Sequence, residues 1–221
     1  MRIKEIDILT TDIAGTEAFY SGIFNFRTAE KNASSISFEI GYSRLVFSKT
    51  DIPNPVYHFA FDIPHNKVDE ALEWLSARAS IIKFQNEDVV DFTNWNAKSF
   101  YFLDNNGNVV EFIARFDNDN RSDQPFDCGS IVSISEIAFV TPDVNELVKK
   151  LINEKGLSYF HRPPQRDDFS VLGEDDGLLI IMDSKRKWFP TQIQVASFPL
   201  KATIEYNGET MELQRTGNDF P

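Results

Sequence analysis

The sequence predicts an α+β fold built from repeated modules, in each of which a strand and a helix precede three further strands. Three observations support this prediction. Short segments rich in β-branched and aromatic residues alternate apolar and less apolar positions, as half-buried strands do. A segment with apolar residues at helical spacing follows the first strand of each module. The order of these segments repeats along the chain.

The first two modules lie close together in the chain. The first has a strand at 2–11, a helix at 14–24 and strands at about 26–31, 35–41 and 44–49. The second has a strand at 56–63, a helix at about 66–78 and strands at about 80–86, 97–103 and 109–115. Gly107 and the asparagines beside it predict a tight turn before the last strand, because these residues tolerate positive φ. We predict that the two modules pair into one domain at 1–116.

A third module follows a polar segment at 117–130, whose composition is typical of a linker. It has a strand at 131–140, a helix at 143–155 and strands near 157–160, 168–173 and 177–183. A hairpin at 200–206 and 209–214 comes next, with Asn207-Gly208 as its two-residue turn. We predict that residues 131–221 form one unit, which covers the paired domain or helps assembly.

Composition narrows the function classes. The chain has 221 residues, 42% of them hydrophobic, which is enough for one or two packed domains. Its net charge of −12 argues against nucleic acid and anionic membranes as partners. The single cysteine, Cys128, excludes an intramolecular disulfide framework. The N-terminus has no apolar signal segment, and no apolar run is long enough to cross a bilayer. We therefore expect a cytoplasmic protein.

One position carries a potential metal ligand in all three modules. Glu5, His58 and Glu136 each lie in the first strand of their module, seven residues before a polar residue at the end of that strand. In the fourth strand, matching the turn glycines Gly41, Gly107 and Gly177 places Glu111 near Val46 and Ile181. Only the second module therefore has a ligand in both strands, and we expect the third module to be structural.

The side-chain period of a strand decides which residues share a face. His58 shares its face with Asp62, while the neighbouring Phe59 and Phe61 point to the opposite, apolar face. Glu111 likewise projects from the less apolar side of its strand. A lone histidine or glutamate in such a place is commonly structural or solvated, so the prediction of a metal site depends on the repeat.

Several phrases of the sequence resemble the vicinal oxygen chelate superfamily, which includes glyoxalases, bleomycin-resistance proteins and extradiol dioxygenases. They are Asp12-Ile13 followed by Ala18-Phe19-Tyr20, then His58-Phe59-Ala60-Phe61, then Phe102-Leu103-Asp104 with Gly107-Asn108-Val109-Val110-Glu111-Phe112. The resemblance covers 1–116 well and 131–190 more loosely. It implies a glyoxalase-like α+β fold, in which two paired modules form a curved-sheet cleft lined by metal ligands from first and fourth strands.

Carried over to this chain, the resemblance gives three of the four ligand positions to Glu5, His58 and Glu111, and the fourth to the apolar Val46. The implied cofactor is a divalent metal ion, with Mn, Fe, Zn and Ni all compatible with two carboxylates and one imidazole. Extradiol dioxygenases use two histidines and one glutamate, so Glu5 is a departure from their pattern.

The resemblance favours a metal-dependent enzyme, a lyase, isomerase or ring-cleaving oxygenase, that acts on a small oxygen-rich or aromatic metabolite. Asp7 and Asp62 share faces with Glu5 and His58, and are candidate catalytic residues that orient His58 or accept a proton. Trp95, in the polar loop 87–96, is a candidate substrate contact, although a structural tryptophan is equally compatible. The expected partner is a small molecule, and a homodimer is the candidate assembly. The alternatives are a metal-free binding protein of the bleomycin-resistance type and a module with a vestigial cleft.

Overall fold

The computed structural model describes residues 1–216, so the last five residues of the predicted third unit lie outside the described residues. The strands are β1 (Arg2–Thr10), β2 (Thr28–Lys31), β3 (Ser35–Ile40), β4 (Ser43–Lys49), β5 (His58–Asp62), β6 (Ile81–Ile82), β7 (Val90–Phe92), β8 (Ala97–Leu103), β9 (Val109–Arg115), β10 (Ser133–Thr141), β11 (Phe169–Glu174), β12 (Gly177–Asp183), β13 (Leu200–Tyr206) and β14 (Glu209–Arg215). The helices are α1 (Ile13–Glu17), which continues as a π-helix over Ala18–Ile23, α2 (Val68–Ser76) and α3 (Val144–Lys155).

These elements confirm the predicted α+β class and its repeated modules. Each of the three modules begins with a strand followed by a helix, as the sequence pattern predicts. Three differences are local. The strand predicted at about 80–86 is reduced to β6 at Ile81–Ile82. The segment near 157–160 makes only an isolated bridge through Tyr159, and β7 forms inside the loop predicted at 87–96. None of the helices in the described part of the chain is long and apolar enough to cross a membrane.

The modules pair differently from the expectation that the first two form one cleft. One sheet has six strands in the order β14-β13-β1-β4-β3-β2, so the first module pairs with the C-terminal hairpin. The other has the order β11-β12-β10-β5-β9-β8-β6, with β7 also on β8, so the second module pairs with the third. Strand pairing therefore crosses the predicted boundary between 1–116 and 131–221 twice.

Burial of the strands gives a physical reason for this pairing. All residues of β5, β9 and β10 are buried, whereas burial alternates along β1. A strand buried on both faces belongs in the middle of a sheet that is covered on both sides, and an alternating strand suits a sheet with one solvated face. Antiparallel pairing of β5 with β10 places the two most enclosed first strands side by side.

The two sheets share one large core. It contains the apolar side chains of β1 together with Phe59 and Phe61 of β5 and Phe112 of β9. The opposite face of the eight-stranded sheet carries His58, Glu111 and a separate apolar cluster. The two faces predicted for β5 therefore match the structure: Phe59 and Phe61 point into the main core, and His58 points away from it.

The segment 117–130 is not a free linker. Asn120 Nδ2 donates a hydrogen bond to Asp62 Oδ2 at 2.9 Å, and Asn66 and Ser122 exchange two hydrogen bonds. Phe126 is 8% exposed and packs against Trp74 of α2. The polar residues of this segment thus attach it to the second module while the chain crosses to β10.

Candidate metal centre

His58 begins β5 and is held in one orientation by a backbone group. Its Nδ1 lies 2.9 Å from the carbonyl oxygen of Val109 on the neighbouring β9. Because a carbonyl oxygen only accepts, Nδ1 carries the hydrogen and Nε2 is left with a lone pair. Burial lowers the pKa of His58 to about 4, so the imidazole is neutral near pH 7. This is the form of histidine that binds a metal ion.

Two carboxylates face the free nitrogen of His58. Glu111 Oε2 lies 3.6 Å and Glu136 Oε2 lies 3.9 Å from Nε2, and both side chains are 4% exposed. One ligand atom from each of the three residues lies within 4.8 Å of the other two. Three strands supply them: β5 and β9 run parallel, and β10 pairs antiparallel with β5 so that Glu136 is opposite Ala60.

A buried arginine holds Glu136 from behind. Arg115 Nη2 forms an ion pair with Glu136 Oε1, and Nη1 donates to Ser135 Oγ at 3.0 Å. The same Nη1 lies 3.6 Å from Asp62 Oδ1. Arg115 is only 1% exposed, so its charge acts in a medium of low dielectric. It opposes the rise that burial causes in the pKa of Glu136, and Oε2 of that residue faces His58.

Burial raises the pKa values of the acids in this cluster. Burial and the neighbouring Glu136 raise the pKa of Glu111 to about 8, against the opposing effect of the hydroxyls of Ser99 and Tyr101. Burial raises the pKa of Asp62 to about 7, although Arg115 and Asn120 act to lower it. Burial also raises the pKa of Glu136, and Arg115 opposes that shift.

The donor set fits a divalent cation. An imidazole lone pair and two carboxylates are ligands that Mn²⁺, Fe²⁺, Zn²⁺ and Ni²⁺ accept. When Glu111, Glu136 and Asp62 are ionised, the single charge of Arg115 leaves the buried cluster with two negative charges. One divalent ion neutralises them, whereas an ion-free cluster must take up protons to avoid buried, unbalanced charge.

These shifts predict that the ion-free protein becomes less stable as pH rises. The pKa values of Glu111 and Asp62 lie above their ordinary values, so the folded chain binds more protons than the unfolded chain up to about pH 8. The stabilisation from these two acids is complete below their ordinary pKa values, and it is lost as pH rises through their pKa values in the folded chain. His58 has little effect on this loss of stability above pH 6.5, its ordinary pKa, because the imidazole is then mostly neutral in both the folded and the unfolded chain.

We therefore expect the free energy of unfolding of EDTA-treated protein to fall by about 2 kcal/mol between pH 6.5 and 8. Urea denaturation at a series of pH values measures this dependence. The Glu111→Gln variant should lose most of it, because its amide does not titrate. A pH dependence that is the same in Glu111→Gln would show that Glu111 is not the responsible group.

The structure brings together only part of the site predicted from the sequence. His58 and Glu111 meet, but Glu5 lies in the six-stranded sheet, is 40% exposed and faces Arg44 at 3.8 Å. Glu136, which was expected to be structural, supplies the third carboxylate in its place. The reason is the pairing of β5 with β10, which brings the third module and not the first to His58.

The two predicted catalytic aspartates also lie elsewhere. Asp7 is on β1 in the other sheet, where Ser48 Oγ donates to its Oδ1 at 2.7 Å. Asp62 lies behind the cluster and pairs with Arg115, so the carbonyl of Val109, and not Asp62, orients His58. Neither aspartate lines the cavity described next.

A cavity of about 470 Å³ opens beside the cluster. Its walls combine the three candidate ligands with aromatic, apolar and a few charged side chains. The lining residues are His58, Asp91, Phe92, Thr93, Asn94, Trp95, Tyr101, Glu111, Ile113, Glu136, Pro163, Pro164, Arg166, Phe169, Ile180, Met182, Arg186, Trp188 and Phe189. Trp95 is thus at the cavity, and its Nε1 donates to the carbonyl oxygen of Pro163 at 2.6 Å.

The fourth ligand position of the paired modules is apolar. Glu111 lies two residues beyond Val109, the partner of His58 on β9, and the same step on β12 from Leu178, the partner of Glu136, leads to Ile180. Ile180 lines the cavity, whereas Ile181, which the turn alignment indicated, packs in the main core. In the third module, the position indicated by the turn glycines is therefore one residue out of register, whereas in the first module the same step from Arg44, the partner of Glu5, leads to Val46 as expected.

A second group of potential ligands, Asp117, His161 and Asp175, lies near the protein surface. Both oxygens of Asp117 already have partners, since Asn96 Nδ2 donates to Oδ1 and Arg162 pairs with Oδ2. We assign no ion to this exposed group.

The fold is similar to that of solved structures. A variant of glyoxalase I from Zea mays matches with a TM-score of 0.57 at 13% identity, over 82% of this chain and 68% of that one. A proposed dioxygenase from Bacillus subtilis matches with a TM-score of 0.58 at 13% identity, over 82% of this chain and 63% of that one. The chain thus spans about two thirds of their length. No family model and no curated protein matches the sequence. The chain has the fold of the vicinal oxygen chelate superfamily.

Proposed function

We propose that the protein is a metal-dependent enzyme that acts on a small oxygen-rich or aromatic metabolite. The observation that carries this proposal is the convergence of a neutral imidazole and two buried carboxylates on one wall of a cavity. The ligands are His58, Glu111 and Glu136. The cavity of about 470 Å³ is in the size range of small-molecule sites.

The three side chains have distinct roles in this proposal. His58 offers Nε2, Glu136 offers an oxygen whose charge Arg115 maintains, and Glu111 releases its proton to become the third ligand. The apolar Ile180 leaves the remaining coordination positions to substrate and water. A bound divalent ion would supply Lewis-acid polarisation of neighbouring substrate oxygens. Because the set has one histidine and two glutamates, we favour a lyase or isomerase over a ring-cleaving oxygenase.

The cavity walls suit an aromatic or partly apolar substrate. Trp95 is held by its hydrogen bond to Pro163 and by an edge contact with Phe160, so its ring is fixed at the cavity. Trp188 lies over His58, with ring centroids 6.0 Å apart. We propose that Trp95 covers the substrate while Trp188 keeps water from the imidazole.

A comparison of EDTA-treated and Mn²⁺-loaded protein tests this function. Both forms are incubated with catechols, α-hydroxy ketones and α-keto acids, and loss of substrate is followed by chromatography. We expect turnover only with the ion, and none in a loaded His58→Ala variant. Turnover that is equal in the EDTA-treated protein, or equal in His58→Ala, would contradict the proposal. His161→Ala, in the exposed second group, is the matched control and should retain turnover.

A metal-free binding protein is the second candidate function. The pairing of Arg115 with Glu136 favours it, because it balances one carboxylate without an ion and leaves Glu111 to hold a proton. In that case the cavity would bind aromatic molecules equally well with and without EDTA, and no divalent ion would bind at His58.

The proposed binding partner is a small molecule. The three metal-binding side chains all come from one chain. A homodimer therefore has no required part in ion binding, and it stays a prediction. We also propose a cytoplasmic setting, since Cys128 is a free thiol. The net charge of −12 disfavours nucleic acid and anionic membranes as partners.

A further inference from the structure

The short basic segment 185–188 supplies part of the cavity wall. Arg186 and Trp188 both line the cavity, and Arg166 lines it as well. The guanidinium groups of both arginines lie against the same aromatic ring, 5.4 Å and 5.6 Å from the centroid of Phe169. The two positively charged guanidinium groups therefore lie in the same part of the cavity wall.

Their counter-charge is incomplete. Among the described residues, Asp168 is the ion-pair partner of both arginines, with Arg186 Nη1 at 2.5 Å from Oδ2 and Arg166 Nε at 3.7 Å from Oδ1. One carboxylate facing two guanidinium groups leaves one positive charge in excess. The side chains of Arg166 and Arg186 are 52% and 28% exposed, so a molecule in the cavity can reach them.

The sheet order gives the direction from these arginines to the candidate metal centre. Glu136 lies on β10, the next strand is β12, and beyond it β11 carries Phe169 opposite Met182. Two strand spacings correspond to roughly 10 Å. Ile180 and Met182 of β12 line the cavity between the two places. The other lining acid outside the cluster, Asp91, is on β7, which pairs with β8 near the opposite edge of the sheet from β11.

We propose that Arg166 and Arg186 bind an oxyanion of the substrate, a carboxylate or a phosphoryl group. Paired guanidinium groups match the planar, multiply accepting geometry of such anions. The apolar middle of the substrate then crosses Ile180 and Met182, and its other oxygens reach His58. This orientation depends on the proposed function, whereas the contact between the anion and the arginines does not. The substrate class is therefore a small organic acid or phosphate with an apolar or aromatic body.

Titration calorimetry with phenyl phosphate, benzoate and the uncharged phenol tests this inference on EDTA-treated protein. We expect at least one of the two anions to bind more tightly than phenol, and Arg186→Gln to weaken that binding about tenfold or more. The order of phenyl phosphate and benzoate shows which anion the site prefers. Arg121→Gln is the matched control, because Arg121 pairs with Asp123 in the 117–130 segment and does not line the cavity.

A second variant separates anion binding from any loss of folding. Asp168→Asn removes the shared counter-charge, so it should strengthen anion binding while leaving phenol binding unchanged. Destabilisation cannot produce such a gain. Equal affinity for anion and phenol, or unchanged anion affinity in both Arg186→Gln and Asp168→Asn, would overturn the inference.

The same titrations in His58→Ala keep this inference distinct from the proposed function. Anion binding that depends on Arg186 and persists in His58→Ala supports the site whether or not an ion binds. If a divalent ion binds at His58 but the arginine variants bind anions normally, this inference fails and the proposed function stands.

Discussion

Replacement of Glu136 by glutamine is expected to weaken divalent-ion binding by about 100-fold or more, because it removes one of three ligand charges from a buried site. Isothermal titration with Mn²⁺ or Zn²⁺ measures the affinity. Glutamine has nearly the same volume as glutamate, so the cavity wall is preserved. Glu136 is the ligand for which the structure differs most from the sequence-based prediction, which gave this role to Glu5.

Glu5→Gln is the matched control for this prediction. Glu5 occupies the equivalent repeat position in the first module, but it lies in the other sheet beside Arg44. Its replacement should leave ion affinity unchanged. A loss of affinity in Glu5→Gln, together with normal binding in Glu136→Gln, would restore the ligand set predicted from the sequence and contradict the one described for the folded chain.

The second large effect concerns stability. Arg115→Met should lower the free energy of unfolding by about 3–5 kcal/mol, since it leaves Glu136 and Asp62 buried without their counter-charge. Urea denaturation at neutral pH measures the change. Met fills a similar volume, so the lost charge is the main cause. Loss of packing alone would be a smaller effect.

Two comparisons decide whether charge is the cause. Arg44→Met removes a half-exposed arginine that pairs with Glu5 and Glu30, and it should change stability by less than about 1 kcal/mol. Adding Glu136→Gln and Asp62→Asn to Arg115→Met should recover much of the loss, because no uncompensated acid remains. If Arg115→Met is no less stable than Arg44→Met, the buried ion pairs do not hold the cluster together.

Strand alternation in the sequence was sufficient to place His58 and Glu111 on the less apolar faces of their strands, whereas the repeat and the family resemblance made them candidate metal ligands. Both lie on strands whose alternation is clear in the sequence, and the first and fourth strands of one module are neighbours in the sheet. Their meeting depends on contacts within one module of about 60 residues. The module outline, the strand faces and the α+β class follow from the same short-range signals.

The partner of the second module could not be predicted in this way. Pairing of β5 with β10 joins residues more than 70 positions apart, and no local pattern specifies it. Glu136 was identified as the equivalent of Glu5 and His58, but it was set aside because its module had no second ligand. Burial along the whole strand would have identified Glu136 as a partner of His58, because β10 is buried over its full length, as are β5 and β9.

Arg115 and the cavity arginines were also outside the reach of sequence patterns. Arg115 ends β9 and looks like a solvated charge at a strand terminus, yet β10 covers it with Ser135 and Glu136. Arg186 belongs to a short basic run of a kind that is usually exposed. Trp95 was predicted at the cleft from its loop, and the structure places it in the cavity wall. Its contact with substrate stays a prediction.

The most direct measurement of the central claim is an anomalous difference map from crystals grown with Mn²⁺ or Zn²⁺ after EDTA treatment. The described geometry predicts one strong peak within bonding distance of His58 Nε2, Glu111 and Glu136. A peak at Glu5, a peak confined to Asp117, His161 and Asp175, or an absence of any peak at His58 at saturating ion would contradict the account.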